Sequence, residues 1–524
     1  MTADFDIAVI GSGFGGSLLS MIARQQGRSV VLLERGRHPR FAIGESSTPL
    51  ANLILEELAE RYSLPRLAPL TKWGSWQRTY PEVACGLKRG FTFYHHTLGQ
   101  RWAPEPDHRN ELLVAASPHD EISDTHWYRP DFDHFLVREA QRLGVEYWDN
   151  TELEDARLSD GAATVSGRRQ GRELKVRARF IVDASGPRGF LHRAWKLPEA
   201  RFDGLPPTEG LYTHFSGVRR WAEISPDSSG ETSPYPVDEA AVHHVFDGGW
   251  IWVLRFNNGI TSAGVAATAR LTGELRLARG ACAWSRLLGL LPSVAEQFSE
   301  AKAERDFVHA PRLSFLSGVA SGPGWALLPA AAGFIDPLLS TGFPLNLLGV
   351  SRLAEAFERH WGSDRLALAV AEYGSQTLQE LTSAARLIAA LYANLGEFTT
   401  FSALSLLYFA AASFTETARR LDHPELAGNA FLAGAHPTFG PRSRSCFARA
   451  TQPLSPVERS ALIREIHETV APLDVAGLTD RSRRNWYGAY AADLVESSSK
   501  LGVDRAAIHR LLERCGFSAS PRAP

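Results

Sequence analysis

A glycine-rich turn between two short apolar runs near the start of the chain constrains the fold more than any other feature. The segment Gly11-Ser12-Gly13-Phe14-Gly15-Gly16 fits the pattern GxGxxG, directly after the apolar run 5–10 and before the helical pattern 17–26. Residues 29–33 follow as a second β-rich run. This order is typical of a βαβ unit with two parallel strands. The sequence therefore predicts an α/β fold with a Rossmann-like core.

The residues of this unit predict that it binds a dinucleotide. Gly11 makes a tight turn, Gly13 lets the backbone approach a pyrophosphate, and Gly16 permits close packing of helix on strand. Amide groups at the helix start, beside Phe14, face the phosphates, where the helix dipole favours negative charge. Glu34 ends the second strand, where a carboxylate can accept hydrogen bonds from an adenosine ribose.

Two further segments favour FAD over NAD as the dinucleotide. The apolar run 180–186 ends in an Asp-x-x-Gly turn headed by Asp183, as in FAD enzymes of the aromatic-hydroxylase type. Arg129 opens a helical pattern that resembles the arginine-led helix of the same class. The sequence has no second GxGxxG unit to bind NAD(P)H. We therefore expect reduced FAD to come from a separate NAD(P)H-dependent flavin reductase.

Composition bears on partners and location. The chain has 524 residues with 56 basic and 58 acidic side chains, and this balance gives no sign of a nucleic-acid partner. Its four cysteines are far apart, and no Cys/His group has zinc-ligand spacing, so neither disulfides nor a metal site is expected. No signal peptide precedes the first strand, so a cytoplasmic location is expected. The apolar stretch 398–414 is predicted to be a buried helix rather than a stable membrane insertion.

The pattern along the chain predicts two units. Residues 1–385 form the FAD-binding core, of the glutathione-reductase type, with an interleaved antiparallel β-sheet at about 70–128 and 205–320 that faces the substrate. Residues 386–524 are predominantly helical. We expect this C-terminal extension to cover the substrate site.

Several segments resemble the flavin-dependent halogenases, in particular those that act on small phenolic or pyrrole-type aromatics. Besides the glycine-rich turn, the resemblance rests on 44–49 (GESSTP), 85–91 (CGLKRGF) and 333–342 (GFIDPLLSTG). Residues 212–214 and 249–252 extend it to roughly 5–360. It implies an oxidoreductase that uses reduced FAD, O2 and chloride or bromide to halogenate an electron-rich phenol, pyrrole or indole.

The resemblance also implies residue roles. Hypohalous acid passes to Lys88, the predicted catalytic residue, whose ammonium can donate to the acid's oxygen or whose amine can form a haloamine. A halide is expected at Thr341 and Gly342. The alternative interpretation, that these residues form a plain helix cap, stays open. The aromatic residues Phe91, Phe93, Trp250 and Trp252 are expected beside the substrate or, equally, as core. The predicted cofactor residues are Gly11, Gly13, Phe14, Gly16, Glu34, Glu45, Ser46, Arg129, Asp183, Gly333 and Asp336.

Three departures from the family pattern keep other functions open. Leu254 and Arg255 stand where Ile-Pro is usual, and Leu339 stands where the tryptophan-acting branch has a glutamate. Pro329 and Ala330 replace a common Gly-Asp pair. The alternatives are a flavin-dependent monooxygenase of an aromatic or polyketide substrate and an FAD-dependent reductase of an isoprenoid-like substrate.

Overall fold

The computed structural model describes residues 2–159, 161–225 and 231–517, and it confirms the predicted βαβ unit. Strand Thr2–Ile10 leads into helix Phe14–Gln25 and then into strand Val30–Leu33. The two strands are parallel, with Ile7 opposite Val30. A Cβ at Gly16 would lie 2.0 Å from the carbonyl oxygen of Gly11, so only glycine allows the helix to start this close to the strand.

The βαβ unit belongs to an eight-stranded sheet, which we call the cofactor sheet. Its central strands are buried on both faces and parallel, as in α/β folds. The main flanking helices are Phe14–Gln25, Pro49–Arg61, Arg129–Arg142 and Gly342–His360. In spatial order the strands are Ser321–Gly322, Trp325–Leu327, Arg172–Asp183, Thr2–Ile10, Val30–Leu33 and Glu146–Trp148, with Ala162–Arg169 and Thr151–Ser159 branching from Arg172–Asp183.

A second, nine-stranded sheet is the predicted substrate-facing layer, and here the prediction of an antiparallel sheet is partly wrong. Strands Gly90–His96 and Ala241–Phe246 are parallel neighbours, as are Glu111–Ala115 and Trp486–Tyr487. These pairs join segments remote in sequence, which long connections allow to run in the same direction. The spatial order is Lys302–Ala303, Thr208–Ser216, Thr261–Thr268, Gly249–Arg255, Ala241–Phe246, Gly90–His96, Glu111–Ala115 and Trp486–Tyr487, with Val308–Ala310 also beside Thr208–Ser216.

The two faces of this sheet pack against different parts of the chain. Because side chains alternate along a strand, His243 lies on one face and His244 on the other. Phe91, His243 and Trp250 share the face that joins the main core. His244 lies on the opposite face, beside Trp221, where short helices cover the sheet. Those helices are Trp221–Ile224, Ala269–Leu275, Ala281–Gly289 and Pro292–Gln297.

Helices of the C-terminal region cover the aromatic face of the second sheet. Helix Phe398–Arg420 is long and apolar enough to cross a membrane, but 83% of its most apolar window is buried within the protein. This confirms the predicted buried helix. The boundary expected near 385 lies inside helix Arg365–Tyr392 and stays a prediction. The other helices of this region are Phe439–Ala450, Pro456–Val470, Ala491–Glu496 and Arg505–Arg514.

A short two-stranded ladder lies between the sheets. Strands Cys85–Lys88 and Asp124–Trp127 are antiparallel, with Lys88 directly opposite Asp124. Ser46 forms a bridge with His126 at the edge of this ladder. The ladder therefore holds Lys88 next to the segment that precedes helix Pro49–Arg61. Smaller elements are helices Trp73–Thr79, Phe190–Ala194 and Pro329–Ala332 and strands Glu199–Ala200, Phe315–Ser317 and Gly333–Phe334.

Candidate active site

A cavity of about 990 Å³ opens at the carboxyl ends of the parallel strands, where α/β sheets bind their ligands. We call it the cofactor cavity. Most of the predicted cofactor and halide residues line it, whereas Glu45, Ser46 and Asp183 are absent from its lining. The predicted residues in the wall are Gly11, Gly13, Phe14, Gly16, Glu34, Arg129, Gly333, Asp336, Thr341 and Gly342.

The start of helix Phe14–Gln25 provides an anion site in the cavity wall. Gly13 is the residue before the helix, in an extended conformation with φ −68° and ψ 174°, and no side chain caps the first amides. Those amides and the helix dipole favour a phosphate group. A Cβ at Gly15 would lie 2.4 Å from Nδ2 of Asn346, so a larger residue there would require the Asn346 side chain to move.

Glu34 is held in position at the end of its strand by hydrogen bonds. Its carboxylate accepts from the backbone N–H and hydroxyl of Ser12, at 3.1 and 2.7 Å, and from the N–H of Gly36 at 2.8 Å. Arg40 lies 3.3 Å from the same carboxylate. Burial opposes ionisation, but Arg40 and these donors outweigh it and lower the pKa of Glu34. The group is therefore an anionic acceptor, suited to ribose hydroxyls.

Arg129 serves the cavity as a structural support. Its guanidinium donates two hydrogen bonds to Asp133, at 2.8 and 2.7 Å, and two more to the carbonyls of Ile43 and Gly44. It also lies over the ring of Phe14, 5.1 Å from the centroid. Arg129 thus fixes the segment around Gly44 and the glycine-rich turn against each other.

Asp183 and Glu45 are buried beside the cavity. The carboxylate of Asp183 accepts hydrogen bonds from the N–H and hydroxyl of Ser185 and from the N–H of Leu191. It therefore orders the Asp-x-x-Gly turn, whose residues Ser185 and Gly186 line the cavity. Glu45 bonds to Nε2 of His214 at 2.8 Å.

A chain of hydrogen bonds connects the cavity with the second sheet. Trp250 Nε1 donates to the hydroxyl of Tyr392 at 3.1 Å, and that hydroxyl donates to Oδ2 of Asp336 at 2.7 Å. The backbone N–H of Leu338 donates to Oδ1. Burial raises the pKa of Asp336 to about 7, although these donors oppose the shift. Tyr392 had no local sequence signal, because its partners lie 56 and 142 residues away.

The predicted halide residues follow a strained turn. Leu339 and Ser340 have φ of +62° and +54°, in the left-handed region that non-glycine residues rarely adopt. Helix Gly342–His360 begins directly afterwards, and no side chain caps its first amides. Gly342 faces open space, since nothing lies within 4 Å of a Cβ built on it. The uncapped start of this helix therefore lies in the cavity wall, a position that suits an anion.

Lys88 lies outside the cofactor cavity, in a group of aromatic side chains that we call the Lys88 cluster. Its Nζ is fully buried, 3.8 Å from the centroid of the Phe91 ring, and donates to the hydroxyl of Ser46 at 2.8 Å and to the carbonyl of Ser47. Gly44 lines the cavity, and Ser46 and Ser47, which contact Lys88, follow it two and three positions later in the chain. The cluster comprises Lys88, Phe91, Phe93, His243, Phe401, Tyr408 and Phe409.

Burial changes the acid–base properties of the Lys88 cluster. Desolvation lowers the pKa of Lys88, although the nearby Asp124 carboxylate opposes the shift. Desolvation raises the pKa of Asp124, and Lys88 opposes that shift. Burial also lowers the pKa of His243 to about 3, so its ring is neutral against Phe93. Asp124 and His243 were not predicted, because only long-range pairing brings them to Lys88.

The predicted pair Trp250 and Trp252 share one face of their strand, with ring centroids 5.7 Å apart. Arg255, which departs from the family pattern, has a structural role. It donates to the carbonyls of Val218 and Arg219, and its Nε lies 3.6 Å from Asp238. It therefore pins a loop behind the sheet. No group of residues that could hold a metal ion occurs in the described ranges.

The residues of the cavity fit FAD. A Cβ at Gly13 would have its nearest neighbours at 3.4 Å, so the protein leaves room for a close backbone approach by a ligand. The uncapped helix start suits the pyrophosphate and Glu34 suits the ribose, while Gly333 and Asp336 line the wall beyond them. When bound, FAD supplies redox chemistry at its ring system.

Comparison with known proteins agrees with this cofactor. The family described as "DAO: FAD dependent oxidoreductase" matches residues 6–335. The chain belongs to this family of FAD dependent oxidoreductases. The match covers the glycine-rich turn, the cavity wall up to Ile335 and most of the second sheet.

Curated relatives narrow the comparison. The chain is 30% identical over 384 residues to monodechloroaminopyrrolnitrin halogenase PrnC of Pseudomonas fluorescens, covering 72% of this chain and 65% of that enzyme. It is 30% identical over 383 residues to tetracycline 7-halogenase of Kitasatospora aureofaciens, covering 69% and 66%. The chain thus spans just under two thirds of the length of these relatives.

The fold is also that of a solved halogenase. The structure of halogenase PltM in complex with phloroglucinol and FAD superposes with a TM-score of 0.78 at 23% identity, over 92% of this chain and 99% of that one. This similarity confirms the predicted FAD-binding fold with its helical C-terminal region.

Proposed function

We propose that the protein is a flavin-dependent halogenase that chlorinates or brominates an electron-rich aromatic small molecule. The observation that carries the proposal is the fully buried Lys88, held 3.8 Å from an aromatic ring and joined to the FAD cavity by the short Gly44–Ser47 segment. Burial of a lysine amine is costly unless the amine is paired and hydrogen-bonded, and buried lysines with a displaced pKa are found at catalytic sites. The relatives named as halogenases support the same function.

The residues take the following roles in this proposal. FAD held at Gly13 and Glu34 would, once reduced, supply hypohalous acid from O2 and halide in the cofactor cavity. Lys88 receives it: the ammonium donates to the acid's oxygen and orients the halogen toward the substrate ring. The neutral rings of Phe91, Phe93 and His243 surround the lysine and exclude water, which would otherwise consume the electrophile. Trp250 and Trp252 extend this aromatic surface toward the cavity.

The halide is assigned to the turn before helix Gly342–His360. Free amides at Thr341 and Gly342 point to an anion site, and the open space at Gly342 leaves room for an ion. Leu339 and Ser340, at positive φ, shape this turn. Chloride and bromide both fit such a backbone site, since it makes no use of a shaped side-chain pocket.

The chain is expected to need a partner for reduction and to work in the cytoplasm. We assign reduction of FAD to a separate NAD(P)H-dependent flavin reductase. The substrate is a phenol, pyrrole or indole, free or tethered to a carrier. Two relatives are named for action on a pyrrole-2-carbonyl group held by a peptidyl-carrier protein.

A turnover assay tests the function. Purified protein, FAD, a flavin reductase and NADH are incubated with simple phenols, pyrroles and indoles, with and without bromide, and products are read by mass spectrometry. The proposal predicts bromide-dependent products with the isotope doublet of bromine. A gain of one oxygen atom without any need for halide would instead identify a monooxygenase.

A control separates enzymatic from free halogenation. Catalase and a soluble scavenger of hypobromous acid are added to a parallel reaction. Bromination that survives the scavenger occurs within the protein, whereas bromination that disappears takes place in solution and contradicts the role of Lys88.

A further inference from the structure

Lys88 and Asp124 form a buried pair in which each charged group binds its own partners instead of the other group. They lie directly opposite each other in the two-stranded ladder, and directly opposite residues project from the same face. Lys88 is 0% exposed and Asp124 6%. The amine donates to Ser46 and Ser47, while Oδ1 of Asp124 accepts from Nδ2 of Asn52 at 2.8 Å. Among the described residues no direct ion pair joins the two.

One oxygen of Asp124 is left without a donor. Its Oδ2 is buried and has no hydrogen-bond partner among the described residues, and neither has Oδ1 of Asn52 beside it. A buried acceptor without a donor lowers the stability of the folded protein, and more so when it is charged. The pair is therefore built to receive a donor group that the described part of the chain does not provide.

Asp124 lies opposite Lys88, and Lys88 in turn lies against the aromatic side chains of the cluster. The Phe91 ring, which lies against Lys88 Nζ, contacts Tyr408 with centroids 6.2 Å apart. Burial raises the pKa of the Tyr408 hydroxyl, and the negative charge of Asp124 raises it further. Asp124 therefore completes a polar end of the Lys88 cluster.

We propose that Asp124 accepts a hydrogen bond from a phenolic O–H or ring N–H of the substrate, so that the enzyme selects electron-rich aromatics that carry such a donor. This inference rests on the proposed halogenation. Asn52 is a positioning residue in this proposal, because its Nδ2 donates to Oδ1 of Asp124 and holds the carboxyl in place. One segment thus holds both groups, since Ser46 and Ser47 hold Lys88 and Asn52 holds Asp124.

The reaction at this pair balances in two steps. In the first, the ring carbon attacks the halogen of hypohalous acid, the carbon–halogen bond forms, and the halogen–oxygen bond breaks. The substrate O–H proton moves to Asp124, and the Lys88 ammonium gives a proton to the departing oxygen, which leaves as water. In the second, the neutral Lys88 amine takes the ring proton while Asp124 returns its proton to the ring oxygen. Both side chains regain their starting protonation, and the net products are the aryl halide and water.

Asp124→Asn tests the inference with a matched pair of aromatics. Resorcinol and its dimethyl ether are both activated toward electrophiles, but only resorcinol has O–H donors. We expect the variant to lose roughly tenfold or more in binding of resorcinol to the FAD-loaded enzyme, measured by calorimetry, with binding of the ether unchanged. Bromination of resorcinol should fall in kcat/KM by at least as much. The inference is overturned when both compounds are affected equally, when neither is affected, or when wild type binds resorcinol no better than the ether.

Asp474→Asn is the control for removal of a buried charge. Asp474 is 3% exposed and accepts hydrogen bonds from the N–H groups of Leu478 and Thr479 in the C-terminal region. It should leave the resorcinol preference unchanged. Because calorimetry needs no halide or reductant, the binding result stands apart from the test of halogenation itself. If the wild-type enzyme forms brominated products but binds resorcinol no better than the dimethyl ether, only the role of Asp124 is contradicted and the proposed halogenation stands.

A pH profile separates this role from a structural one. The groups that face Asp124 are Lys88 on the opposite strand, Glu416, Arg420 and Tyr408 on helix Phe398–Arg420, and Asn52. His126 and His243 face Lys88. Asp124 must be ionised to accept the substrate proton, so kcat/KM for resorcinol should fall on the acid side. Asp124→Asn should remove that acid limb, and retention of the limb would contradict the assignment.

Discussion

The cofactor cavity and the Lys88 cluster are built in opposite ways. The cavity is formed largely by backbone: glycines, uncapped helix starts and turns enclose about 990 Å³. The cluster is formed by side chains from the ladder, the second sheet and helix Phe398–Arg420, and its members are packed and buried. A backbone site binds a large cofactor by shape, whereas a side-chain site places single reactive groups.

The two regions also treat charge differently. Glu34 in the cavity has donors and a cation around it, which keep it ionised. Lys88 and Asp124 in the cluster are shifted toward their neutral forms by burial. Active sites displace the pKa values of catalytic acids and bases in this way. In the proposed function, the first region binds the cofactor and the second transfers the halogen.

The largest expected change concerns Asp336, which joins the two regions. Its pKa is raised from 3.8 to about 7, so the carboxyl of the folded protein is neutral at low pH. The neutral carboxyl contributes to the free energy of unfolding at low pH, and this contribution is lost as the pH rises through 7. Asp336→Asn does not titrate. The free energy of unfolding of FAD-free wild type should therefore fall relative to the variant between pH 4.5 and 8, by up to about 3 kcal/mol.

Urea titrations of both proteins at several pH values measure this difference. The other buried groups, including Lys88 and Asp124, are common to both proteins and largely cancel. A difference that stays constant with pH would show that Asp336 does not carry the displaced pKa.

The next effect probes the cavity alone. Gly13 has φ −68° and ψ 174°, which any residue can adopt, and a Cβ there meets no protein atom closer than 3.4 Å. Gly13→Val should therefore fold but fill the approach to the pyrophosphate, weakening FAD binding roughly 100-fold, or about 3 kcal/mol. Fluorescence titration of FAD measures it.

Gly273→Val is the matched control for this variant. Gly273 lies in helix Ala269–Leu275, and nothing lies within 4 Å of a Cβ built on it. It should keep full FAD affinity. If Gly13→Val binds FAD as tightly as wild type does, the glycine-rich turn does not contact the cofactor.

The smallest effect concerns the hydrogen-bonded link between the regions. Tyr392→Phe leaves Oδ2 of Asp336 and Nε1 of Trp250 without their partner, at a cost of roughly 1–3 kcal/mol in stability. FAD affinity should also fall, because Asp336 lines the cavity. Denaturation and FAD titration measure the two effects.

Tyr373→Phe provides the comparison for this link. The Tyr373 hydroxyl is also buried, but it donates to the carbonyl of Leu327 and touches neither Asp336 nor Trp250. Tyr373→Phe should lower the free energy of unfolding but leave FAD affinity unchanged. If both variants lose FAD affinity, the loss in Tyr392→Phe comes from general destabilisation and not from the hydrogen bond to Asp336.

The two regions differed in how far sequence could predict them. The cavity could be predicted because its glycines and Glu34 lie within one contiguous motif whose spacing has a direct geometric reason. Lys88 and its aromatic neighbours were reached through a family resemblance, and their roles stay predictions. Asp124, His243, Tyr392 and Tyr408 were missed, since strand pairing and helix packing bring them in from remote segments. The parallel pairing of Gly90–His96 with Ala241–Phe246 was missed for the same reason.

The most direct test of the account is a single turnover of the Lys88→Met variant. Enzyme loaded with FAD is reduced chemically and then mixed with oxygenated buffer containing bromide and resorcinol, with Lys302→Ala, an exposed lysine, as control. FAD reoxidation is followed by absorbance, and quenched product is followed by mass spectrometry. We expect all three proteins to reoxidise FAD at the same rate, but only wild type and Lys302→Ala to form bromoresorcinol. Bromoresorcinol from Lys88→Met at the wild-type yield would contradict the assignment of halogen transfer to Lys88.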